Sequence, residues 1–171
     1  MTAPLFRVAA DDVVVTSDDC YTPRWVFDAI GLRFDLDVAA PVGGPWHVPC
    51  DRYFTPEDDG LSQPWDGLVW CNPPYSNYAA WGARWVVSKG AIMGIVLPET
   101  LWLPPIFAAA DAVAFCAPEF SRPDGSKPVR LRQKVFVAFR GVGIAPAQRL
   151  AAADPYGAVL YGYSQSLDSM R

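Results

Sequence analysis

The sequence predicts an α/β fold with a mainly parallel central sheet and helices on both of its faces. Short apolar runs, such as residues 67–71 and 91–97, alternate with segments of helical periodicity, such as residues 76–90. Strands that alternate with helices pair in parallel, because each helix returns the chain to the same edge of the sheet. Hydrophobic residues make up 51% of the 171 residues and charged residues 19%, which is typical of one globular domain.

The first predicted elements are a helix, a strand and a loop. Thr22 is a typical N-cap residue, Pro23 suits the first helical position, and Gly31 is typical of the position after a helix end. Apolar and charged residues alternate over residues 33–38, which predicts a strand. Residues 41–50 are too rich in proline and glycine for a helix, so they are predicted to form a loop.

The later elements continue the alternation of strands and helices. From Ser76 a helix is predicted that places Tyr78, Trp81 and Trp85 on one face and ends at Gly90. Further strands are predicted over residues 52–55, 67–71, 91–97, 112–116 and 134–140, and a short helix over residues 104–111. In the weakly patterned tail, residues 148–154 favour a helix and residues 158–164 favour an edge strand.

One domain accounts for the chain. Residues 1–20 are predicted to be an irregular lead-in, residues 21–143 the main domain, and residues 144–171 an extension that packs on the same domain. No apolar run approaches the length of a membrane span, and the first residues lack the basic start and apolar core of a signal peptide. These features predict a cytoplasmic protein with no membrane partner.

The cysteine and histidine content excludes several kinds of chemistry. The cysteines stand singly without CxxC pairs, so a zinc site or a disulfide framework is disfavoured and reduced thiols are expected. His47 is the only histidine, which excludes catalysis by several histidines, and no metal site is predicted. The formal charge is −4, so a nucleic-acid partner would have to meet a local basic patch.

The motif Asn72-Pro73-Pro74-Tyr75 follows directly after an apolar run that is predicted to be a buried strand. Proline fixes its own φ and donates no backbone hydrogen bond, so the two prolines end the strand on a rigid turn. The Asn72 amide oxygen and the Pro73 carbonyl could accept both hydrogens of an amine conjugated to a ring, which would free the lone pair of its nitrogen. Tyr75 would offer a planar base a face for stacking.

This motif, together with YTP, FDLDVAA and DGLSQPW, resembles the phage-type DNA N6-adenine methyltransferases of the Dam-like family. The resemblance runs from about Cys20 to Arg140, and the four motifs stand in the family's order. It implies a Rossmann-like methyltransferase fold over residues 21–143, S-adenosylmethionine (SAM) as the methyl donor, and adenine in double-stranded DNA as the acceptor. It also implies the cytoplasm of a bacterial or phage-infected cell as the location.

The resemblance also implies a set of residues that bind the cofactor. Thr22 and Pro23 match an element near the methionine end of SAM, and Asp37 and Ala39 belong to the end of the first strand of the cofactor site. A carboxylate at Asp37 could accept a hydrogen bond from the ammonium group of SAM. In the acidic turn at residues 56–60, one carboxylate is expected to contact the ribose or adenine of SAM, and the candidates are Glu57, Asp58 and Asp59.

The most basic part of the chain is residues 119–134, which could contact DNA phosphates or form a solvated hairpin. Its cations are Arg122, Lys127, Arg130, Arg132 and Lys134. No separate domain for target recognition is visible in the sequence. Sequence recognition would therefore have to come from loops or from the second subunit of a homodimer.

Two other functions are compatible with the motif. Enzymes that methylate cytosine N4, an RNA base or a glutamine side-chain amide face the same problem of a poorly nucleophilic nitrogen. The enzymes that act on RNA bases or glutamine amides usually retain a glycine-rich first motif, which this sequence lacks. A catalytically inactive protein that binds SAM or DNA is the non-enzymatic alternative, and the intact NPPY motif argues against it.

Overall fold

The computed structural model describes residues 20–122 and 127–162. The predicted lead-in at residues 1–20 lies outside the described residues apart from Cys20, as does the chain after residue 162. Within the described residues the α-helices are α1 (Arg24–Ile30), α2 (Tyr78–Trp85), α3 (Leu103–Ala109) and α4 (Ala145–Ala153). None of the described helices has the length and apolar character needed to cross a membrane.

Seven strands form the main sheet, in the order β2-β1-β3-β4-β8-β5-β9. These strands are β1 (Phe34–Asp37), β2 (Cys50–Tyr53), β3 (Leu68–Cys71), β4 (Lys89–Ile95), β5 (Ala112–Cys116), β8 (Val135–Arg140) and β9 (Ala158–Tyr161). A separate two-stranded ribbon consists of β6 (Glu119–Phe120) and β7 (Val129–Arg130). The chain passes from β1 to β2 on one side and then to β3 on the other, so the strand order switches at β1.

The sheet is mixed, so the prediction of a mainly parallel sheet holds only in part: five strands run in one direction, and β8 and β9 run in the other. Strands β2, β1, β3 and β4 pair in parallel, whereas β8 pairs antiparallel with both β4 and β5, and β9 pairs antiparallel with β5. The strand pattern of residues 134–140 was recognisable, but its direction was not. A fully buried strand shows a continuous apolar run whether its neighbours are parallel or antiparallel.

Helices cover both faces of the sheet. On one face Phe27 of α1 contacts Trp70, with ring centroids 4.8 Å apart, and on the other Phe107 of α3 contacts Phe136 at 5.1 Å. The register across β3, β4 and β8 places Trp70 on the same face as Phe139, and Phe136 lies three residues away on the opposite face. Helix α4 packs with α1, and α2 packs with α3. Helix α4 also contacts β5, and β9 pairs with β5.

Two predicted helix boundaries are wrong. The N-cap of α1 is Pro23, not Thr22, and no side chain caps the helix, while Gly31 ends it in the left-handed conformation as expected. Helix α2 ends at Trp85, and Gly90 lies inside β4 with φ of 132°. A Cβ atom on Gly90 would lie 2.0 Å from the carbonyl oxygen of Val69, so this glycine permits close strand pairing instead of ending the helix.

Candidate active site

The candidate active site lies at the carboxyl ends of three neighbouring parallel strands. Asp37 is the last residue of β1, the acidic turn at residues 56–60 follows β2, and Asn72 directly follows β3. Strand order switches at β1, and ligands of α/β sheets bind in the crevice at such a switch point. Sheet topology therefore brings these three separate segments to one place.

Two adjoining cavities occupy this crevice, and together they are called the cleft below. The first has a volume of about 290 Å³ and is lined by Val38, Ala39, Ala40, Thr55, Pro56, Asp59, Gly60, Leu61, Pro74, Asn77 and Trp81. The second has a volume of about 260 Å³ and is lined by Cys20, Tyr21, Ala39, Ala40, Pro41, Pro56, Asn72, Pro73 and Pro74. The cavities are contiguous because they share four lining residues, Ala39, Ala40, Pro56 and Pro74.

The side-chain amide of Asn72 is held by hydrogen bonds from its nitrogen. Asn72 Nδ2 donates to Thr22 Oγ1 at 3.2 Å and to the carbonyl oxygen of Cys20 at 3.5 Å. Since the Cys20 carbonyl is only an acceptor, it fixes which branch of the amide faces it. The hydroxyl of Thr22, in turn, donates to Met93 Sδ at 3.5 Å and is free to accept from Asn72.

This orientation leaves the oxygen of Asn72 on the other branch of the planar amide. Asn72 Oδ1 receives no hydrogen bond from the residues that the structure describes, and Asn72 lines the second cavity. The site therefore presents a hydrogen-bond acceptor in a fixed orientation. If the amide were flipped, Oδ1 would face the Cys20 carbonyl oxygen, and the two acceptors would repel each other. Thr22 is 5% exposed, so this support is shielded from water.

Asp37 lies behind the wall of the cleft instead of on it. Its side chain is 2% exposed, and Oδ1 accepts a hydrogen bond of 3.1 Å from the backbone N–H of Ala39. Burial raises the pKa of Asp37 to about 7, and the Ala39 hydrogen bond opposes this rise only in part. Asp37 could thus change its charge near neutral pH. Because Ala39 lies between Asp37 and the cleft, this charge would act on a ligand electrostatically, without direct contact.

The three carboxylates of the acidic turn lie in different surroundings. Asp58 forms a capping box with Thr55: its Oδ2 accepts from the Thr55 N–H at 2.8 Å and from the Thr55 hydroxyl at 2.9 Å. These hydrogen bonds lower the pKa of Asp58. Asp59 lines the first cavity with φ of 51°, whereas Glu57 is exposed and lines neither cavity. Among the three, Asp59 has the position from which a ligand in the cleft could be contacted.

Gly60 allows the acidic turn to press against the end of β1. A Cβ atom at this position would lie 2.1 Å from the carbonyl oxygen of Val38 and 3.2 Å from the Trp81 ring. Trp65 supports the turn from outside, since its indole N–H donates to the Gly60 carbonyl at 2.8 Å and its ring stacks on Trp81 at 5.9 Å. Arg84 donates to the carbonyl of Leu61 and lies over the Trp65 ring. The first cavity therefore has a firm wall.

Tyr75 is placed differently from the sequence prediction. It is 8% exposed, belongs to the hydrophobic core, and lines neither cavity. Its ring lies parallel to that of Tyr78, with centroids 5.7 Å apart and an angle of 8° between the planes. In this conformation Tyr75 does not present the open face that base stacking would require, although it lies only three residues after Asn72.

Pro23 is also separate from the cleft. It lines a different cavity of about 460 Å³, whose other residues include Glu119, Arg130, Asp154 and Tyr156. Among the residues predicted to bind a cofactor, the structure thus brings only Ala39 and Asp59 to the cleft wall. Thr22 and Asp37 lie behind it, and Pro23 and Glu57 lie away from it.

The basic segment includes the β6–β7 ribbon. Its exposed cations differ in their partners: Arg130 forms an ion pair with Glu119 at 3.2 Å, whereas Lys127 and Arg132 have no ion-pair partner among the described residues. The Lys134 ammonium lies 5.5 Å from the centre of the Tyr156 ring, and Arg122 is half-buried just after β6. Residues 123–126 of the segment lie outside the described part of the chain.

Several residues at the cleft were not predicted to be functional. Trp81 was recognised only as part of the buried face of α2, and Tyr21, Thr55 and Gly60 were given no separate role. Tyr21 and Gly60 are part of the YTP and DGLSQPW motifs, so the neighbouring motif residues were the available signal. The contribution of Trp81 depends on the packing of α2 beside the acidic turn, which no local pattern encodes.

The fold and the cleft define a class, an α/β protein with a cleft at the switch point of its sheet. The model of the DNA N-6-adenine-methyltransferase (Dam) family matches residues 12–96, and the chain belongs to this Dam-like methyltransferase family. The matched range includes β1–β4, the acidic turn and the NPPY motif. A search of curated proteins and a search of solved structures gave no match.

Proposed function

We propose that this protein transfers a methyl group from SAM to the N6 amine of adenine in double-stranded DNA. The family supports activity on DNA adenine. The observation that carries the proposal is the hydrogen-bonded orientation of Asn72, whose amide nitrogen is bound by Thr22 and Cys20 while its oxygen is left for an amine in the cleft. A Rossmann-like methyltransferase fold is part of the same proposal.

The first cavity suits the adenosine part of SAM. Val38, Leu61 and Trp81 give it apolar walls for a planar ring, and Asp59 supplies a carboxylate for a hydroxyl or amine. The sequence lacks the glycine-rich loop that binds phosphates in many nucleotide sites, and this absence is compatible with SAM because SAM has no phosphate. When bound, SAM would supply a methyl group on a positively charged sulfur.

The second cavity suits the amine that accepts the methyl group. An adenine amine has its lone pair delocalised into the ring, and acceptors for both of its hydrogens favour a pyramidal, more nucleophilic nitrogen. Asn72 Oδ1 and the Pro73 carbonyl are the two proposed acceptors, and Pro73 and Pro74 keep the backbone rigid there. The amine can lose its proton to water after transfer, so Asn72 need not act as a base.

Adenine must leave the DNA helix to reach this cavity, because an amine inside the stack is inaccessible. The exposed cations of residues 119–134 are proposed to bind the phosphates that flank such a base. Since the whole chain has a formal charge of −4, this local concentration matters for the approach of DNA. A homodimer that shares target recognition stays a prediction.

The test is to identify the atom that receives a labelled methyl group. Purified protein and labelled SAM are offered DNA, RNA and a protein extract, and the modified nucleic acid is digested to nucleosides. We expect label in N6-methyladenine from DNA, and a heat-treated sample and DNA already methylated at N6 are the controls. Label in N4-methylcytosine would replace adenine as the acceptor, and label confined to protein would contradict the DNA substrate. SAM binding without any transfer would favour the inactive binder.

A further inference from the structure

The loop between β1 and β2 exposes a tryptophan in an unusual backbone conformation. Trp46 is 54% exposed and has φ of 46°, in the left-handed region that residues other than glycine rarely adopt. An exposed indole sacrifices apolar burial, and a strained backbone persists only where its surroundings hold it. These two properties suggest that Trp46 contacts something other than this chain's own core.

Trp46 is attached to the catalytic region by two contacts. Its ring centroid lies 5.3 Å from that of Tyr21, at an angle of 51°, and Tyr21 lines the second cavity together with Asn72. The next residue, His47, has its Nδ1 3.3 Å from the carbonyl oxygen of Thr22, the residue whose hydroxyl supports Asn72. The exposed indole thus lies one aromatic ring away from the cavity.

Tyr21 also connects this region with the basic segment. Its backbone pairs with Ser121 in an antiparallel bridge, with N–H···O distances of 2.9 Å in both directions. Ser121 directly follows β6, which pairs with β7, where Arg130 lies. Tyr21 therefore lies between the second cavity and the ribbon that carries Arg130, and Trp46 contacts Tyr21; these two residues are called the aromatic rim below.

We infer that the aromatic rim is a stacking surface for a DNA base next to the adenine that enters the cleft. The inference rests on the proposed function. A strand that turns one base out of the helix also loses stacking at the neighbouring bases, and aromatic side chains replace it with little regard to sequence. Tyr75 is buried against Tyr78 and offers no open ring face, whereas the ring of Trp46 in the rim is exposed.

The test compares the DNA affinity of Trp46→Ala, Trp46→Phe and the parent by fluorescence anisotropy. The probes are a labelled single-stranded oligonucleotide containing adenine and a duplex in which that adenine is mismatched. A matched control is Val87→Ala, since Val87 is 78% exposed but precedes β4 and so lies at the opposite edge of the sheet. Circular dichroism and thermal unfolding show whether each variant is folded.

We expect Trp46→Ala to weaken binding of both probes by roughly 5- to 150-fold, the range for loss of one stacked base. Trp46→Phe should retain most of the affinity because it keeps a ring. The salt dependence of binding should not change, since no phosphate contact is lost. Val87→Ala should bind both probes as the parent does, and the affinity for SAM should be the same in all variants.

Equal binding of DNA by the parent and a folded Trp46→Ala variant would overturn the inference. So would a loss of affinity accompanied by conversion of a parent dimer to a monomer in sedimentation, because the rim would then be a subunit interface. Anisotropy reports binding without turnover, which keeps the two ideas separate. Absence of methyl transfer by the parent contradicts the proposed function, whereas unchanged binding by Trp46→Ala in an active enzyme contradicts only the role of the rim.

Discussion

The two halves of the main sheet differ in pairing and in what their ends present. Strands β2, β1, β3 and β4 are parallel, so their carboxyl ends meet at one edge, where the cleft and Asn72 lie. Strands β8, β5 and β9 form antiparallel pairs, so adjacent strand ends alternate in direction and no comparable row of carboxyl ends arises. The match to the methyltransferase family ends at residue 96, one residue beyond β4.

This difference suggests a division of labour. The parallel half is proposed to hold the cofactor and the acceptor amine, and the segment at residues 119–134, inserted between β5 and β8, is proposed to address DNA. Substitutions in the parallel half should then change turnover or SAM binding. Substitutions in the inserted segment should change DNA affinity and leave the chemical step nearly intact.

The largest effect is expected for Asn72→Ala. This change removes the proposed acceptor for the amine while leaving the first cavity unaltered, so turnover should fall by about 100-fold or more, as for the loss of a preorganised transition-state contact. SAM affinity, measured by calorimetric titration, should remain close to that of the parent. Turnover by a folded Asn72→Ala variant equal to that of the parent would contradict the assignment of the site.

A smaller loss of turnover is expected for Thr22→Val, which keeps the shape of the side chain but removes the hydroxyl that accepts from Asn72 Nδ2. The freed amide would sample other orientations, and turnover should fall by roughly 5- to 150-fold, in line with about 1–3 kcal/mol for an unsatisfied buried group. Thr22→Ser retains the hydroxyl and should therefore keep most of the parent's turnover. Equal losses in kcat for the Val and Ser variants would indicate a packing role only.

The pH dependence of SAM binding tests the position of Asp37. With a pKa of about 7, its carboxylate should be mostly neutral at pH 6 and mostly ionised at pH 8. If the ionised form favours the cationic cofactor, affinity should rise by about tenfold over this range, and Asp37→Asn should remove that rise. Asp66→Asn, a change at an exposed carboxylate, should keep it.

Protein stability gives a second measurement of the same group. The pKa of Asp37 in the folded chain lies above its ordinary value of 3.8. The unfolded chain therefore loses this proton first as the pH rises, and the contribution of Asp37 to the free energy of unfolding decreases between about pH 4 and pH 7. Denaturant unfolding of Asp37→Asn should show a flatter profile than the parent over this range. Parallel profiles would mean that Asp37 ionises normally.

The smallest effect is expected in the basic segment. Arg132→Ala should lower the slope of log affinity against log salt by close to one unit, because it removes a cation without an ion-pair partner among the described residues. Arg130→Ala should change the slope less, since Glu119 already neutralises Arg130. Each variant should lose about the same affinity for every DNA sequence tested, because phosphate contacts do not depend on sequence. An unchanged slope for Arg132→Ala would favour the alternative that the segment is a solvated hairpin without phosphate contacts.

The sequence by itself determined most of the secondary structure and the motif at the centre of the site. Apolar patterns located the five inner strands of the main sheet, because burial on a sheet face imposes a local pattern of apolar residues. The edge strands β2 and β9 have no buried residue, and they overlap the short strands predicted over residues 52–55 and 158–164. Even the weakly patterned tail was correctly predicted as a helix followed by an edge strand. Likewise, the prolines at 73 and 74 marked the rigid turn after β3, since their effect on the backbone is local.

Only the tertiary structure decided the direction of β8 and the roles of individual side chains. Strand direction depends on which neighbours a strand pairs with, and that information lies far away in the chain. Contacts between distant segments are equally hidden from the sequence. Thr22 was interpreted as a helix cap or a cofactor contact, but its hydroxyl accepts a hydrogen bond from Asn72, 50 residues away. Trp46 lies in the predicted loop at residues 41–50, and its exposure next to Tyr21 became evident only in three dimensions. Local patterns encode local backbone preferences, but packing between distant segments decides what each side chain faces.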